Sequence, residues 1–289
     1  MSDIIVELVD AFVDGGTGGN PAGVVTRGGE NLSIAQKQAI AASAGLSETA
    51  FVLPSRTADF KLEFFTPTRS IPHCGHATVA SFARLAQLGR LEGTEIVNET
   101  VDGPRRIRIE GQSAFLEQVP ARLETLPSTV ADDIAASLGL TSSALLSDTP
   151  ILADNGNKAI LIGLHSIEDL RDLQPDLERI AEITQSFGAI CYYVFALGSI
   201  VLGRDATARM FGPAYGIPEE SATGMAAGPL ACWLEKKAAA KGRTILIEQG
   251  QFMTPPSPSL LIGRPDYKDG ALAAMWIGGE AKSRGVTPP

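Results

Sequence analysis

The apolar positions along the chain fall into short runs whose period changes from two to about four and back. Ile4 to Val13 reads as a strand, and Gly15-Gly16-Thr17-Gly18-Gly19-Asn20-Pro21 interrupts it before a second apolar run at Ala22 to Val25, which is hairpin punctuation. Ser33 stands as a cap for a helix over Ile34 to Ser43, an alanine-rich stretch that stops at Gly45. Strands are predicted at Thr49 to Leu53 and Phe60 to Phe65, the second alternating as a half-buried strand does. From His76 to Gly89, Val79, Phe82, Ala83, Leu85 and Ala86 cover most sides of a helix. A helix apolar on most sides must be enclosed, here by a curved sheet. Strands at Glu95 to Glu99, Arg105 to Glu110 and Ser113 to Val119 follow.

The stretch Pro120 to Pro127 reads as a domain junction, and Ser128 as the cap of a helix over Val130 to Leu138. Helices at Ile167 to Leu173 and Asp176 to Ser186 then flank strands at Pro150 to Leu152 and Lys158 to Ile162. Strands at Ile190 to Leu197 and Thr207 to Phe211 lead to a helix from about Thr223 to Ala239. Strands at Thr244 to Glu248, Ser259 to Gly263 and Ala271 to Ile277 complete the pattern, and Arg284 to Pro289 reads as a frayed tail. Many short strands around one apolar helix per half predict an α+β protein and not a parallel βαβ sheet. The expected domains are residues 1–119 and 120–289, with the chain free to return to the first domain near its C-terminus.

A repeat supports two similar halves. Phe65-Thr-Pro-Thr-Arg-Ser-Ile-Pro72 and Phe211-Gly-Pro-Ala-Tyr-Gly-Ile-Pro218 each precede a glycine that opens an apolar helix, with three more residues before the glycine in the second copy. Each half is therefore expected to present a tight turn and a helix N-terminus, with a site between the halves.

Composition narrows the partners. A formal charge of -9 and a pI near 4.9, with no basic stripe, disfavour nucleic acid and anionic membrane. No apolar run approaches a spanning helix, and Met1 to Glu7 has no basic leader segment, so the expected location is the cytoplasm. Cys74, Cys191 and Cys232 are too few and scattered for a disulfide framework. The glycines at 15–19 are not a dinucleotide fingerprint, because no helix follows them in a strand-turn-helix context.

Candidate chemistry concentrates at Ile71-Pro-His-Cys-Gly-His-Ala-Thr78, which holds two of the three histidines and one of the three cysteines. Backbone N–H groups at the start of the following helix favour an anion such as a carboxylate, and Gly75 allows close approach. Cys74 at a helix N-terminus is either an activated thiol or a small buried residue. Zinc held by His73, Cys74 and His76 is disfavoured, since adjacent side chains converge poorly and a fourth ligand is lacking. His73 alone reads as a polar turn residue, and Cys191, Cys232 and His165 as structural. In the second copy Glu219 and Glu220 add acids, as first-turn partners of a helix dipole or as substrate contacts, and Thr223 aligns with Cys74. Glu48, between a helix and a strand, precedes apolar residues that could bury it and raise its proton affinity, as a group that takes and returns a proton requires; the alternative is a carboxylate bracing the chain.

Gly19-Asn-Pro-Ala-Gly23, Ser47-Glu-Thr-Ala-Phe51, Phe65-Thr-Pro67, Cys74-Gly-His-Ala-Thr78, Phe211-Gly-Pro213 and Ala222-Thr-Gly224 together resemble the phenazine-biosynthesis-like isomerase family in order and spacing. The resemblance spans nearly the whole chain. It implies a diaminopimelate epimerase-like fold, two pseudo-symmetric α+β domains each curved around a central helix, with the site in the interdomain cleft and a homodimeric assembly. It implies a small anionic metabolite as substrate, and no metal or organic cofactor. Carried over by motif, Glu48 resembles the acid/base, His76 the histidine of the cleft and Gly75 its neighbouring anion donor. Asn20, Cys74, Thr223 and Gly224 fall on motif positions expected to contact substrate. Glu220 stands where the family has aspartate and is expected to act in catalysis.

The chain departs from the pattern at Glu220, Ser221 and Met225, where aspartate, proline and serine are usual, at Arg69, where an acid is usual, and at Thr254-Pro-Pro256, which lacks an arginine. Three functions follow. The first is a cofactor-independent isomerase using Glu48. The second is a single-thiol dehydratase or epimerase using Cys74 opposite Thr223. The third is a metabolite-binding or protein-interaction member without catalysis.

Overall fold

The structure, a computed structural model, describes residues 4–238 and 241–287. The chain divides into two compact units, residues 1–117 with 278–289, and residues 118–277.

The first unit contains β1 (Val6–Ala11), β2 (Asn20–Val25), α1 (Ile34–Ala44), β3 (Thr49–Leu53), β4 (Phe60–Phe65), β5 (Ser70–Ile71), α2 (Gly75–Gln87), β6 (Glu95–Thr100), β7 (Gly103–Glu110) and β8 (Ser113–Gln118). β1 and β2 form the predicted hairpin, with Ala11 opposite Asn20. The α1 cap is reciprocal: Ser33 accepts from the Gln36 N–H and the Gln36 side chain accepts from Ser33 N–H, so both orphan donors are satisfied. Gly45 closes the helix at φ 64, a left-handed conformation that glycine takes without a Cβ clash.

β2 pairs parallel with β3, β3 antiparallel with β4, β4 parallel with β6, and β6 and β7 continue antiparallel to β8. The last strand of the chain pairs with both β8 and β1, which closes eight strands into a ring. α2 lies against β1, β2, β3 and β7 and buries every residue from His76 to Ala83, which is why its sequence lacks a polar face.

The second unit contains β9 (Arg122–Thr125), α3 (Ser128–Ser137), β10 (Ile151–Asp154), β11 (Lys158–Leu164), α4 (Ile167–Arg171), α5 (Leu177–Ser186), β12 (Cys191–Leu197), β13 (Ala206–Gly212), β14 (Ile217–Glu220), α6 (Gly224–Lys237), β15 (Ile245–Gln249), β16 (Ser259–Lys268) and the start of β17 (Ala271–Thr287). Its pairing repeats the mixed pattern: β11 runs parallel to β12, β13 antiparallel to β12 and parallel to β15. α6 is buried from Ala226 to Glu235 and packs on β9, β11, β15 and β16. Pro229 inside α6 has no N–H for the carbonyl of Met225; the Asn155 amide donates to that carbonyl instead at 3.4 Å.

Four expectations are corrected. Arg122 to Thr125 is a strand paired with β10, not part of an irregular junction. Ser128 is the first residue of α3, whose N-cap position is Pro127. Ile217 and Pro218 belong to β14, not to a turn. Arg284 to Thr287 are not frayed, because β17 pairs with β1 as far as Val6 opposite Thr287. Ala239 and the last two residues, also part of sequence-based expectations, lie outside the described residues.

Candidate active site

In the first unit the β3 strand and the α2 helix bring three reactive side chains together. Gly23 N–H donates to the Glu48 carbonyl at 2.9 Å, so pairing of β2 with β3 fixes the backbone from which the Glu48 side chain projects. His76, in the first turn of α2, places Nε2 3.3 Å from Glu48 Oε2. Cys74, at the N-cap position, places Sγ 3.5 Å from His76 Nδ1 and 4.0 Å from Nε2. The side chains of His76 and Glu48 are 6% and 13% exposed, and Cys74 is buried.

Glu48 Oε2 is itself shielded from water and makes no hydrogen bond among the described residues, although His76 Nε2 lies 3.3 Å away. A buried carboxylate oxygen without a donor is costly and normally marks a place where another group arrives. A Cβ built on Gly75 would meet nothing within 4 Å, so space is open beside the first amides of α2. Asn20, buried, opens β2 three residues before Gly23.

His73 stands apart from this group. It is half-buried against Phe64, and its Nδ1 has no hydrogen-bond partner among the described residues. Desolvation lowers its pKa to about 4, the Arg105 guanidinium adds to the effect and Asp102 opposes it. It is therefore neutral near pH 7.

In the second unit Glu220, at the end of β14, accepts from the Thr223 hydroxyl at 2.5 Å. Fully buried Gln249 fixes that pair. Its Oε1 accepts from Thr223 N–H at 3.1 Å and from the Tyr193 hydroxyl at 3.0 Å. Its Nε2 donates to the Glu220 carbonyl at 2.7 Å and to Thr223 Oγ1 at 3.2 Å. Because Thr223 Oγ1 already accepts from Gln249, its own proton is directed to Glu220. Burial pushes up the thiol of Cys191 and the hydroxyl of Tyr193, and the Glu220 carboxylate adds to both shifts.

Gly224 opens α6, and its carbonyl accepts from the Gln118 amide. Glu219 is committed elsewhere, to a two-pronged ion pair with Arg209 at 2.8 and 2.9 Å, and Arg209 also holds the carbonyls of Leu170 and Arg171. Glu219 and Glu220 thus sit on a strand and not in the first turn of a helix.

Among the predicted residues, Glu48, Cys74 and His76 cluster with Gly75 beside them, and Glu220 and Thr223 form a bonded pair next to Gly224. Gln249 and Tyr193 were missed. A lone glutamine at the end of a strand carries no local signal, and only the fold brings it to Thr223.

The sequence pattern of the phenazine biosynthesis-like protein family matches residues 9–271. An uncharacterized isomerase, YddE of Escherichia coli K12, is 37% identical over 78% of this chain and 77% of its own length. The trans-2,3-dihydro-3-hydroxyanthranilate isomerase of Pseudomonas chlororaphis is 32% identical over 96% of both chains. A crystal structure of a PhzF-family phenazine biosynthesis protein from Bacillus anthracis superposes with a TM-score of 0.87 at 25% identity, covering 100% of this chain and 99% of that one.

Proposed function

The chain belongs to the phenazine biosynthesis-like family and is an isomerase, and on that premise we propose that Glu48 moves a proton between carbons of a small carboxylate-bearing metabolite. The observation that carries the reading is the Glu48 Oε2 atom, desolvated, without a hydrogen-bond donor and 3.3 Å from His76 Nε2 at the start of α2. A base in that position takes a proton from carbon most readily when the developing charge on substrate is met by fixed donors. The first amides of α2, beside the open space at Gly75, supply such donors for a carboxylate, and His76 supplies a further polar contact next to Glu48. The same carboxyl group then returns the proton at a second carbon, so substrate and product differ only in where hydrogen and double bond lie. No cofactor is needed for these steps. One relative is named for a hydroxyanthranilate, itself a carboxylate, which fits the substrate class.

A second reading uses Cys74 as the base, and the 3.5 Å approach of its sulfur to His76 Nδ1 favours it. The two readings separate in deuterated water. A panel of small cyclic and acyclic carboxylates, amino acids among them, is followed by proton NMR for exchange at carbon. The glutamate reading predicts that Cys74→Ser exchanges deuterium at a rate within a few-fold of wild type while Glu48→Gln does not. The reverse pattern assigns the base to the thiol, and a panel that reveals turnover insensitive to both removes the site.

A further inference from the structure

We propose that the loop between β12 and β13, residues 198–205, is the docking surface for a second copy of this chain, in a two-fold contact centred on Leu202. The inference concerns assembly and goes beyond the isomerase reading, so it stands whether or not Glu48 is the base.

The loop is firmly anchored. Gly198 N–H donates to the Asp205 carbonyl at 3.0 Å and closes it, and Asp205 N–H donates to the Leu246 carbonyl at 2.8 Å, which ties it to β15. Between those ends the N–H groups of Ile200 and Val201 and the Arg204 guanidinium all donate to Glu248, whose side chain is fully buried. Charge-assisted bonds of this kind fix a backbone, so a partner meets one conformation and little ordering is left to be done on binding.

What the anchored loop turns to water is apolar. Leu202 is 100% exposed, and Leu197, Ile200 and Val201 are 50%, 53% and 43% exposed. These four side chains leave about 400 Å² of apolar surface in water, on a single loop. The patch continues onto the sheet. Glu248 stands opposite Leu260 and Leu246 opposite Ile262, all on one face of β15 and β16, and the three apolar side chains there are half-buried. A stable contact takes about 800 Å² from each partner, of which roughly 56–65% is apolar, so the loop and its sheet neighbours supply about the apolar area that one copy must contribute.

Charge selects the occupant. A chain with a formal charge of -9 repels its own copy wherever acidic groups face each other. Residues 196–203 carry no ionisable side chain, and the charges that follow are already paired, Arg204 with Glu248 and Asp205 with Arg243. Two copies can therefore meet here without setting like charges opposite one another, and a two-fold axis lets one patch serve both sides. An anionic membrane, which also takes exposed leucines, is repelled by the same net charge.

The experiment is sedimentation equilibrium of the full chain from low to high micromolar concentration. Wild type is expected to dimerise. Leu202→Glu, at a fully exposed side chain, should raise the dimer dissociation constant at least about 100-fold, because each dimer carries the substitution twice at the centre of the contact. Leu202→Lys should do the same, and an equimolar mixture of the two should recover dimer, since acid then meets base across the axis. Recovery also shows that both variants are folded. Val101→Glu, at a position 76% exposed in the first unit, should leave dimerisation unchanged. A monomeric wild type, a dimer that survives Leu202→Glu, a mixture that stays monomeric, or loss of dimer in Val101→Glu would overturn the assignment.

Discussion

Glu248 is fully buried and, one residue before Gln249, anchors the strand that holds Thr223 and Glu220. Its two oxygens receive four donors: the N–H groups of Ile200 and Val201 at 2.5 and 3.4 Å, the Thr207 hydroxyl at 2.6 Å and the Arg204 guanidinium at 3.0 Å. Arg204 is itself only 9% exposed, so neither charge is screened by water. Glu248→Gln removes the charge and turns one acceptor into a donor facing Arg204 and Val201. Removing one partner of a buried pair leaves the other charge uncompensated, at a cost of about 3–5 kcal/mol. Arg204→Met should cost a comparable amount by stranding the carboxylate. The double variant Glu248→Gln with Arg204→Met should lose less than the sum of the single effects, because no lone charge remains. Urea unfolding monitored by circular dichroism measures all three. A loss below about 1 kcal/mol for Glu248→Gln, or additivity in the cycle, refutes the claim that this cluster is a coupled clasp.

Three further outcomes follow from particular contacts. His73, with its folded pKa lowered to about 4, is protonated more readily when unfolded, so its contribution is full above pH 6.5 and is lost as pH falls toward 4. Urea unfolding should therefore show wild type losing about 1–3 kcal/mol more than His73→Asn between pH 7.5 and 4.5, and equal losses would contradict the buried-neutral assignment. Gln249→Leu leaves Thr223 N–H, the Tyr193 hydroxyl and the Glu220 carbonyl without their partner and should cost at least about 2 kcal/mol in the same assay. Gly278→Ala places a Cβ 2.6 Å from the backbone Cα of Phe115, so closure of the first unit's ring should weaken by about 2 kcal/mol or more; an unchanged melting temperature would show that β8 and β17 can separate without penalty.

Much of this fold was legible because local physics and burial agree. Ser33 and Gly45 bracket α1 by cap chemistry that depends only on neighbours, and Thr49–Leu53 and Phe60–Phe65 emerge at their predicted bounds from apolar content and alternation. The all-round apolar surface of α2 predicted enclosure, and a ring of eight strands encloses it. Arg122 to Thr125 gives no strand signal in the sequence because an exposed strand needs little apolar content, and its pairing with β10 is a tertiary fact. Arg284 to Thr287 looked frayed because polar residues with a glycine near a chain end give no strand pattern, yet β1 offers them an edge.

The candidate site was legible in part for the same reason. Cys74 and His76 share one turn, so the sequence alone puts them together. Glu48 joins them only through the placement of β3 beside α2, and neither its separation from His76 nor its missing donor leaves a trace in local sequence.

The central claim is that Glu48 carries the proton. On a substrate identified by exchange at carbon, Glu48→Gln is to be compared with wild type by NMR in deuterated water, both proteins checked for equal thermal stability. Loss of a positioned acid/base should slow isomerisation and carbon-bound deuterium incorporation together by about 10²–10⁴. Retention of both at the wild-type rate would contradict the account.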